Sequence, residues 1–229
     1  MNVAVVGDDA LAETVDAAGA TLTDVETASL VVTVGEEQFV DVARGGPAVP
    51  ILPVETEFGP FSLARDVVEA AVETILDGEG TAVSHPVLSV TIDGTTVARG
   101  VLDVMLVTSE PARISEYEVT FGAERAGNFR ADGVVASTPL GTRGYAHAAG
   151  GPILEPGTGL AVVPISPFST QSETWVAPGD VTLTVVRDDG PVALVVDGRT
   201  VQSVDPHQSV RLSVVDHVDL WRVPSIGSR

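Results

Sequence analysis

Three short apolar runs divide the first 80 residues of the chain. They cover residues 2–7, 29–34 and 50–54. Their high content of β-branched side chains predicts buried strands. The gaps between the runs leave room for a helix after each strand, which is the order that builds a parallel sheet.

Helical periodicity appears between and after these runs. Asp8 or Asp9 can cap a first helix that reaches about residue 18, with an apolar face of Leu11, Val15 and Ala18. A short second helix is expected to end at Arg44. Residues 63–76 predict a third helix with apolar positions at Leu63, Val67, Ala70, Ala71 and Ile75. Residues 1–80 are therefore expected to form a small α/β domain with a mostly parallel sheet.

From about residue 83 the pattern changes to alternating strands. Half-buried strands are predicted at residues 88–92, 116–121, 181–186, 193–196 and 210–214. Turn signals occur at Asp93-Gly94, Gly122, Gly127, Asp189-Gly190 and Asp197-Gly198. Only residues 145–149 interrupt this pattern with a short helix. We expect a β-sandwich domain over residues 81–219 and a C-terminal tail over residues 220–229.

Charge limits the classes of partner. The chain has 32 acidic and 12 basic residues, for a formal net charge of −20, and every basic residue is arginine. This balance is typical of adaptation to a potassium-rich cytoplasm, where salt screens carboxylate repulsion. It argues against nucleic-acid and membrane-surface partners, which need a basic face. Without lysine, a Walker-type lysine and Schiff-base chemistry are excluded.

Cysteine content and hydropathy narrow the classes further. The chain has no cysteine, which excludes disulfides, thiolate metal sites and a cysteine nucleophile. No apolar run reaches membrane-spanning length, and no signal peptide is visible. We therefore expect a cytoplasmic protein.

Residues 130–153, RADGVVASTPLGTRGYAHAAGGPI, are the most informative stretch. A short apolar strand ends at Thr138-Pro139 and leads through several glycines into an alanine-rich segment. A strand that ends in small residues before a helix can present backbone N–H groups to a ligand. The alternative is a tight connection between two packed elements.

This stretch resembles the NAD kinase pattern R-x-D-G-[apolar]-x-x-S/A-T-P-T-G-S-T-A-Y, followed by A-G-G-P-I. Residues 163–169, VPISPFS, are similar to the family's x-P-I-x-P-H-S/T segment, and residues 193–198, ALVVDG, to a later strand and Asp-Gly turn. The resemblance covers almost the whole chain and marks it as a divergent member from an extreme halophile. It implies an α/β domain, a β-sandwich domain and a nucleotide site between them. It also implies NAD and ATP or polyphosphate as substrates, Mg²⁺, and a homodimer or homotetramer.

One family motif is strongly altered. The family's Gly-Gly-Asp-Gly-Thr loop cradles the donor phosphates, and this chain has Gly35-Glu36-Glu37-Gln38-Phe39 in its place. Glu36 and Gln38 replace glycines and are expected to occupy the phosphate space. Glu37 lies at the position of the catalytic aspartate, with a carboxylate displaced by roughly 1 Å. Glu36 and Glu37 could hold Mg²⁺, but the acid-rich composition favours a solvated turn, so no metal ligands are assigned.

A second motif, A-L-N-E/D, corresponds to Gly100-Val101-Leu102-Asp103. The family asparagine that holds adenine is Leu102 here. Asp103 matches the acid that faces a ribose hydroxyl, although it could equally be a strand-edge residue. Asp132 matches the acid near the nicotinamide carboxamide, although Asp-Gly also forms an ordinary hairpin turn.

The family's G-S-T-A-Y motif corresponds to residues 141–145. Thr142 keeps a hydroxyl, and Tyr145 keeps the ring that lies over the ligand's sugar. Arg143 replaces a threonine near adenine and could bind a phosphate or form an ion pair with a nearby carboxylate. The resemblance thus implies substrate binding by Asp103, Asp132, Thr142, Arg143, Gly144 and Tyr145, and a catalytic role for Glu37.

Two functions follow from this pattern. The first is an active NAD kinase in which Glu37 orients or deprotonates the ribose 2′-hydroxyl and Asp103 holds the ribose. The second is a catalytically silent paralogue that binds a nucleotide or pairs with an active kinase subunit. Loss of the glycine loop together with the adenine-holding asparagine favours the second.

Overall fold

The computed structural model describes residues 1–110, 113–169 and 172–224, and its chain forms two compact units. The first unit contains Met1–His85 and the end of the chain from His217 onward, and the second contains Pro86–Asp216. The predicted domain bounds at residues 80 and 219 stay a prediction. Residues 225–229 of the predicted tail lie outside the described residues.

The first unit is an α/β structure. Its helices are α1 Asp9–Ala17, α2 Glu36–Arg44 and α3 Val68–Leu76. Its strands are β1 Asn2–Val6, β2 Thr21–Leu22, β3 Leu30–Val34 and β4 Ile51–Val54. These strands pair in parallel in the order β2-β1-β3-β4, which confirms the predicted parallel sheet.

Helix α1 begins as the sequence predicts. The Asp8 carboxylate accepts the backbone N–H groups of Ala10 at 2.8 Å and Leu11 at 3.1 Å, which caps the first turn. Leu11 and Val15 then pack in one core with strand residues and with helix α3. Burial of this apolar face, rather than helix propensity alone, stabilises so short a helix.

The third helix is shorter than predicted. Helix α3 begins at Val68 after a 3-10 turn over Arg65–Val67, so residues 63–76 are not one helix. Leu63 instead extends the sheet, because its N–H donates to the carbonyl of Pro53 at 3.0 Å and its carbonyl accepts from Glu55 at 2.9 Å. Pairing with the end of β4 therefore overrides the helical spacing.

The second unit is a β-sandwich, as predicted. Its first strands are β5 Thr81–Ile92, β6 Thr95–Gly100, β7 Asp103–Thr108, β8 Ser115–Phe121, β9 Glu124–Ala131 and β10 Gly133–Ser137. The others are β11 Leu160–Ile165, β12 Trp175–Ala177, β13 Val181–Arg187, β14 Val192–Val196, β15 Arg199–Val204 and β16 Ser209–Arg222. The short helix α4 covers Tyr145–Ala148. Strands β5 and β16 each begin in one unit and end in the other.

Strand order places β7 at the centre of the candidate site. One antiparallel sheet has the order β12-β11-β10-β7-β14-β15, so β7 lies between β10 and β14. Its inward residues Val104 and Leu106 share a core with Tyr117 and Leu183 of the facing strands. The outward residues of β7 therefore begin with Asp103.

The predicted turns at Asp93-Gly94, Gly122 and Asp197-Gly198 are confirmed, and the one at Gly127 is wrong. Asp93-Gly94 and Asp197-Gly198 have positive φ at both positions, which is typical of two-residue hairpin turns. Gly127 instead lies within β9 and pairs with Val119. A Cβ at Gly127 would lie 2.6 Å from the ring of Trp175, so this glycine makes room for an aromatic side chain.

Trp175 completes a small aromatic layer in the second unit. Its ring stacks on Phe129 with centroids 5.9 Å apart and an interplanar angle of 27°. In the first unit, Trp221 lies in β16 and packs against the α/β core. Within the described part of the chain, no helix is long and apolar enough to cross a membrane.

Candidate functional site

The turn before β7, residues 100–103, is bonded through its carbonyl groups to the end of β10. The Thr138 hydroxyl donates to the carbonyl of Val101 at 2.7 Å, and the Thr138 N–H donates to the carbonyl of Leu102 at 2.9 Å. The Ser137 hydroxyl also donates to Leu102, at 3.3 Å. All three donors are buried, so water does not compete for these carbonyl groups.

The same turn is bonded through its N–H groups to Asp197, in the turn after β14. One Asp197 carboxylate accepts from Val101 at 3.0 Å, from Leu102 at 2.8 Å and from Asp103 at 3.0 Å. The Asp197 N–H donates back to the carbonyl of Asp103 at 2.9 Å. Three consecutive N–H groups around one anion form a backbone nest.

Gly141 packs directly on this turn. A Cβ at Gly141 would overlap the carbonyl group of Leu102 and would lie 2.8 Å from the Ser137 hydroxyl. Only a glycine permits the approach. We use the name turn cluster for residues 100–103, residues 137–145 and Asp197.

Thr142 is a buried member of the turn cluster. It has no exposed surface, and its hydroxyl donates to the carbonyl of Pro139 at 2.7 Å. The same oxygen accepts the N–H of Leu154 at 3.1 Å. The hydroxyl therefore connects two loops of the protein, and direct ligand binding by Thr142 stays a prediction.

The exposed side of the turn cluster consists of Arg143, Gly144 and Tyr145. Tyr145 is 48% exposed and begins helix α4, and the exposed Gly144 precedes it. Arg143 is half-buried, and among the described residues it makes no ion pair, so the predicted alternative of a carboxylate partner is not found. A guanidinium and a phenol ring are thus available to a ligand.

Leu102 and Asp103 differ from these residues because both are mostly buried. Leu102 is 6% exposed and Asp103 is 8% exposed. The Leu102 side chain belongs to the interior and offers no polar atom to a base. Asp103 has a carboxylate at the outward face of β7, and its backbone is fixed by Asp197.

Asp132 lies away from the turn cluster. It precedes β10, whereas Thr138 follows that strand, and Ser137 pairs with Asp103 in the register. At about 3.3 Å per residue, the five residue steps from Asp132 to Ser137 span about 17 Å. The structure therefore brings Asp103, Thr142, Arg143, Gly144 and Tyr145 together within one chain but not Asp132.

The backbone of Asp132 is bonded to buried residues, and exposed side chains lie nearby. Its N–H donates to Ile165 at 3.0 Å, and its carbonyl accepts from the Tyr117 hydroxyl at 3.4 Å. Nearby, the Arg130 guanidinium lies 5.9 Å from the ring centroid of Phe168. Phe168 is 72% exposed and occupies the position of histidine in the related segment.

In the first unit, Gly35 is followed immediately by helix α2. Gly35 has φ 84°, and the helix begins at Glu36, so the stretch expected to be a loop is the first helical turn. Glu36 and Glu37 are exposed there, where the positive end of the helix dipole favours carboxylates. Phe39 is fully buried against Phe58, with ring centroids 4.7 Å apart. Catalysis by Glu37 stays a prediction.

Arg65 was not predicted from the sequence, although it lies at the carboxyl end of this parallel sheet. Its guanidinium is 2.7 Å from the carboxylate of Asp8 and 3.1 Å from that of Glu55. The hydrogen bond from Arg65 lowers the pKa of Asp8 below its usual value. No motif marks Arg65, because its partners are 57 and 10 positions away in the chain. Among the described residues, no group of three or more His, Asp or Glu side chains could hold a metal ion.

Comparisons with known proteins identify the family of this chain. Residues 101–219, which include all of the turn cluster except Gly100, match the model of the ATP-NAD kinase C-terminal domain. The chain is 32% identical over 201 residues to an NAD kinase from Methanosarcina barkeri, covering 85% of this chain and 70% of the relative. This chain belongs to the NAD kinase family.

Other relatives and solved structures extend the comparison. An NAD kinase from Gemmatimonas aurantiaca is 35% identical over 161 residues, which cover 66% of this chain and 55% of that protein. Yeast NADH kinase complexed with NADH has a TM-score of 0.81 at 15% identity and covers 98% of this chain and 84% of its own. An NAD kinase from Archaeoglobus fulgidus in complex with ATP has a TM-score of 0.76 at 17% identity, covering 97% and 94%. Both structures share the NAD kinase fold with this family member.

Proposed function

We propose that this NAD kinase family member binds a dinucleotide of the NAD type through its second unit and is not an efficient phosphotransferase. The single observation that supports this proposal is the contrast between two motifs. The turn cluster has a close-packed backbone with a half-buried Arg143 and an exposed Tyr145, whereas Gly35 leads directly into a helix that exposes two carboxylates.

The turn cluster supports binding because its chemistry suits a nucleoside. A half-exposed phenol ring can pack on a sugar or base, and a guanidinium can stack on a base or bind a phosphate. Asp103 offers a carboxylate that can accept hydrogen bonds from ribose hydroxyls. The fixed backbone around Asp103 lowers the cost of ordering the protein on binding.

The first unit supports weak phosphoryl transfer for electrostatic reasons. Glu36 and Glu37 extend from the helix start that would otherwise present free N–H groups to phosphates. Asp8 and Glu55 already pair with Arg65, the cation at the ends of these strands. A highly charged donor meets carboxylates here instead of a glycine-rich nest.

A second candidate is phosphoryl transfer itself, and the position of Glu37 favours it. Glu37 is exposed on the first turn of α2, where a carboxylate could accept the proton of a ribose hydroxyl. The relatives named NAD kinase also favour this candidate. Mg²⁺ would be held mainly by the donor phosphates, since the described residues offer no ligand group of their own.

Two assays separate the candidates. Calorimetric titration with NAD⁺, NADH and NADP⁺ in molar KCl measures binding, and NADP⁺ formation from NAD⁺ with Mg²⁺ and ATP or polyphosphate measures transfer. We expect binding without measurable transfer, binding that survives Glu37→Gln, and a Kd about fivefold higher in Tyr145→Ala. NADP⁺ formation that Glu37→Gln abolishes would establish the kinase instead, and absence of binding to all three dinucleotides would overturn the proposal.

We further propose that the protein acts as a homodimer or homotetramer in a salt-rich cytoplasm. Exposed apolar side chains such as Phe168, Val176 and Ile153 are available for burial against a second copy of the chain. The separation of Asp132 from the turn cluster adds support, since a second copy can place its own Asp132 near a bound ligand. Light scattering in molar KCl measures the subunit number, and a monomeric mass would overturn this part of the proposal.

A further inference from the structure

We propose that Asp197 is a positioning residue that fixes the turn bearing Asp103 in the geometry that binds a dinucleotide. This inference rests on the proposed function for its ligand, but its structural part is independent. Asp197 lies 94 positions after Asp103 in the sequence, and the sheet brings the two together because β14 is a neighbour of β7.

The Asp197 side chain accepts several hydrogen bonds from a single turn. One carboxylate receives the N–H groups of Val101, Leu102 and Asp103, at 2.8 to 3.2 Å. The backbone N–H of Asp197 completes a ring by donating to the carbonyl of Asp103. Hydrogen bonds to an ionised acceptor are stronger than neutral ones, and three of them on adjacent residues fix the path of the backbone.

The opposite side of the turn is fixed by Thr138. Its hydroxyl and its N–H bond the carbonyl groups of Val101 and Leu102. The turn is therefore held from both sides. Asp197, which follows β14, accepts its N–H groups, and Thr138, which follows β10, donates to its carbonyl groups. Without Asp197, three partly buried N–H groups lose their acceptor while the carbonyl side stays bonded.

The consequence for binding is positional. Asp103 begins β7, so a rotation of its peptide changes the direction of its side chain. Asp197 does not need to touch the ligand to affect it. A displaced carboxylate at Asp103 would lose ribose hydrogen bonds that depend on distance and angle.

Asp197→Asn isolates the charge. Asp197 has φ 46° and precedes Gly198, and Asn-Gly is the preferred pair for this hairpin turn. The substitution therefore preserves the turn and the side-chain shape. It replaces one carboxylate oxygen, which accepts hydrogen bonds, with an NH₂ group, which cannot accept from the N–H groups of residues 101–103. Asp197→Glu keeps the charge and moves it by one methylene.

Asp93→Asn is a matched control within the same unit. Asp93 has φ 48°, precedes Gly94, and forms the same type of turn between β5 and β6. Its carboxylate accepts from the Gln208 side chain at 3.2 Å and from the Ser209 N–H at 3.4 Å, and none of these groups belongs to the turn cluster. Both substitutions remove one negative charge from one Asp-Gly turn.

Hydrogen–deuterium exchange tests the structural part without any ligand. We expect amide exchange at residues 101–103 to be about tenfold faster in Asp197→Asn, with residues 192–196 of β14 unchanged. Asp93→Asn leaves exchange at 101–103 as in the wild type, and Asp197→Glu gives an intermediate rate. Wild-type exchange at 101–103 in Asp197→Asn would overturn the inference. If Asp197→Asn does not fold, the exchange rate in Asp197→Glu decides in the same way.

Titration with NAD⁺ and NADH tests the functional part. We expect Kd to rise about tenfold in Asp197→Asn at a temperature where the variant is fully folded, and to stay unchanged in Asp93→Asn. Equal Kd values in the wild type and Asp197→Asn would overturn the positioning role. If the wild type itself binds neither dinucleotide, the proposed function fails, and the exchange result alone then decides whether Asp197 fixes the turn.

Discussion

The imidazole of His85 meets the ring of Phe61 edge-on, with centroids 4.6 Å apart and planes at 87°. His85 is 1% exposed, and neither of its ring nitrogens has a hydrogen-bond partner among the described residues. Burial lowers the pKa of His85 to about 4, and the carboxylate of Asp219 opposes this only in part. The fold therefore holds a neutral histidine.

Because His85 is buried in its neutral form, we predict that the protein loses stability in mild acid. In the unfolded chain its pKa is 6.5, so as pH falls below that value the unfolded state binds the proton first. Above pH 6.5 the neutral His85 costs the fold no stability. The free energy of unfolding decreases as pH falls from 6.5 toward 4, and His85 causes no further decrease below pH 4. The loss approaches about 3 kcal/mol in the free energy of unfolding, measured by urea denaturation between these pH values.

Substitutions separate the effect of His85 on the pH dependence of stability from the effect of the many carboxylates. We expect His85→Leu to flatten the pH dependence between pH 6.5 and 4 relative to the wild type. His207→Gln, at an exposed histidine, should keep the wild-type slope. Equal slopes in the wild type and His85→Leu would show that the buried imidazole does not carry the effect.

Gly141→Ala is expected to destabilise the second unit. Its Cβ would overlap the backbone carbonyl of Leu102, which cannot move because Thr138 bonds it. A clash with fixed backbone costs roughly 1–3 kcal/mol or prevents folding. Gly179→Ala is the control, since nothing lies within 4 Å of its Cβ position. Thermal unfolding compares the two, and equal melting temperatures would contradict the close packing.

Thr142→Val tests whether the Thr142 hydroxyl is structural. The substitution leaves the carbonyl of Pro139 and the N–H of Leu154 without their shared partner in a buried place. We expect a loss of about 1–3 kcal/mol in the free energy of unfolding, while Thr142→Ser keeps most of the stability. An unchanged unfolding midpoint in Thr142→Val would mean that the hydroxyl serves a ligand and not the fold.

Tyr145→Ala should separate binding from stability. The side chain is 48% exposed, so its removal changes the melting temperature little. We expect Kd for NAD⁺ to rise about fivefold, because a stacked ring contributes on the order of 1 kcal/mol. Tyr145→Phe, which keeps the ring, should bind nearly as tightly as the wild type. A Kd in Tyr145→Ala equal to that of the wild type would remove this ring from the binding surface.

The net charge of −20 predicts a strong response to salt. Between about 0.1 M and 1 M salt the Debye length falls from about 10 Å to about 3 Å, which screens repulsion among carboxylates. The urea midpoint should therefore rise with KCl over this range. Sucrose at matched water activity is the control for solvent exclusion, and an equal rise in sucrose would assign the effect to exclusion instead.

Some of this structure could be read directly from local sequence. Strands β3 and β4 were visible because their side chains are buried on both faces, and the Asp-Gly turns were visible from residue type. The last strand was predicted to end at residue 214 but reaches Arg222. Residues 214–217 are all exposed, so the alternation of buried and exposed positions disappears there.

Contacts between residues that are far apart in the sequence could not be predicted in this way. Nothing in residues 193–198 indicates that the Asp197 carboxylate binds three N–H groups of another turn, since that depends on β14 and β7 being neighbours. The replacement of the glycine loop was visible as residue types, but its outcome as a helical turn with a buried Phe39 depends on packing against Phe58.

The packing of Trp175 on Gly127 has a practical consequence for measurement. The chain contains two tryptophans, Trp175 in the second unit and Trp221 in the first. Each unit therefore has its own intrinsic fluorophore. In Trp221→Phe the emission comes from Trp175 and follows the β-sandwich, while Trp175→Phe reports the α/β unit. Unfolding curves of the two variants would show whether the units melt together or one after the other.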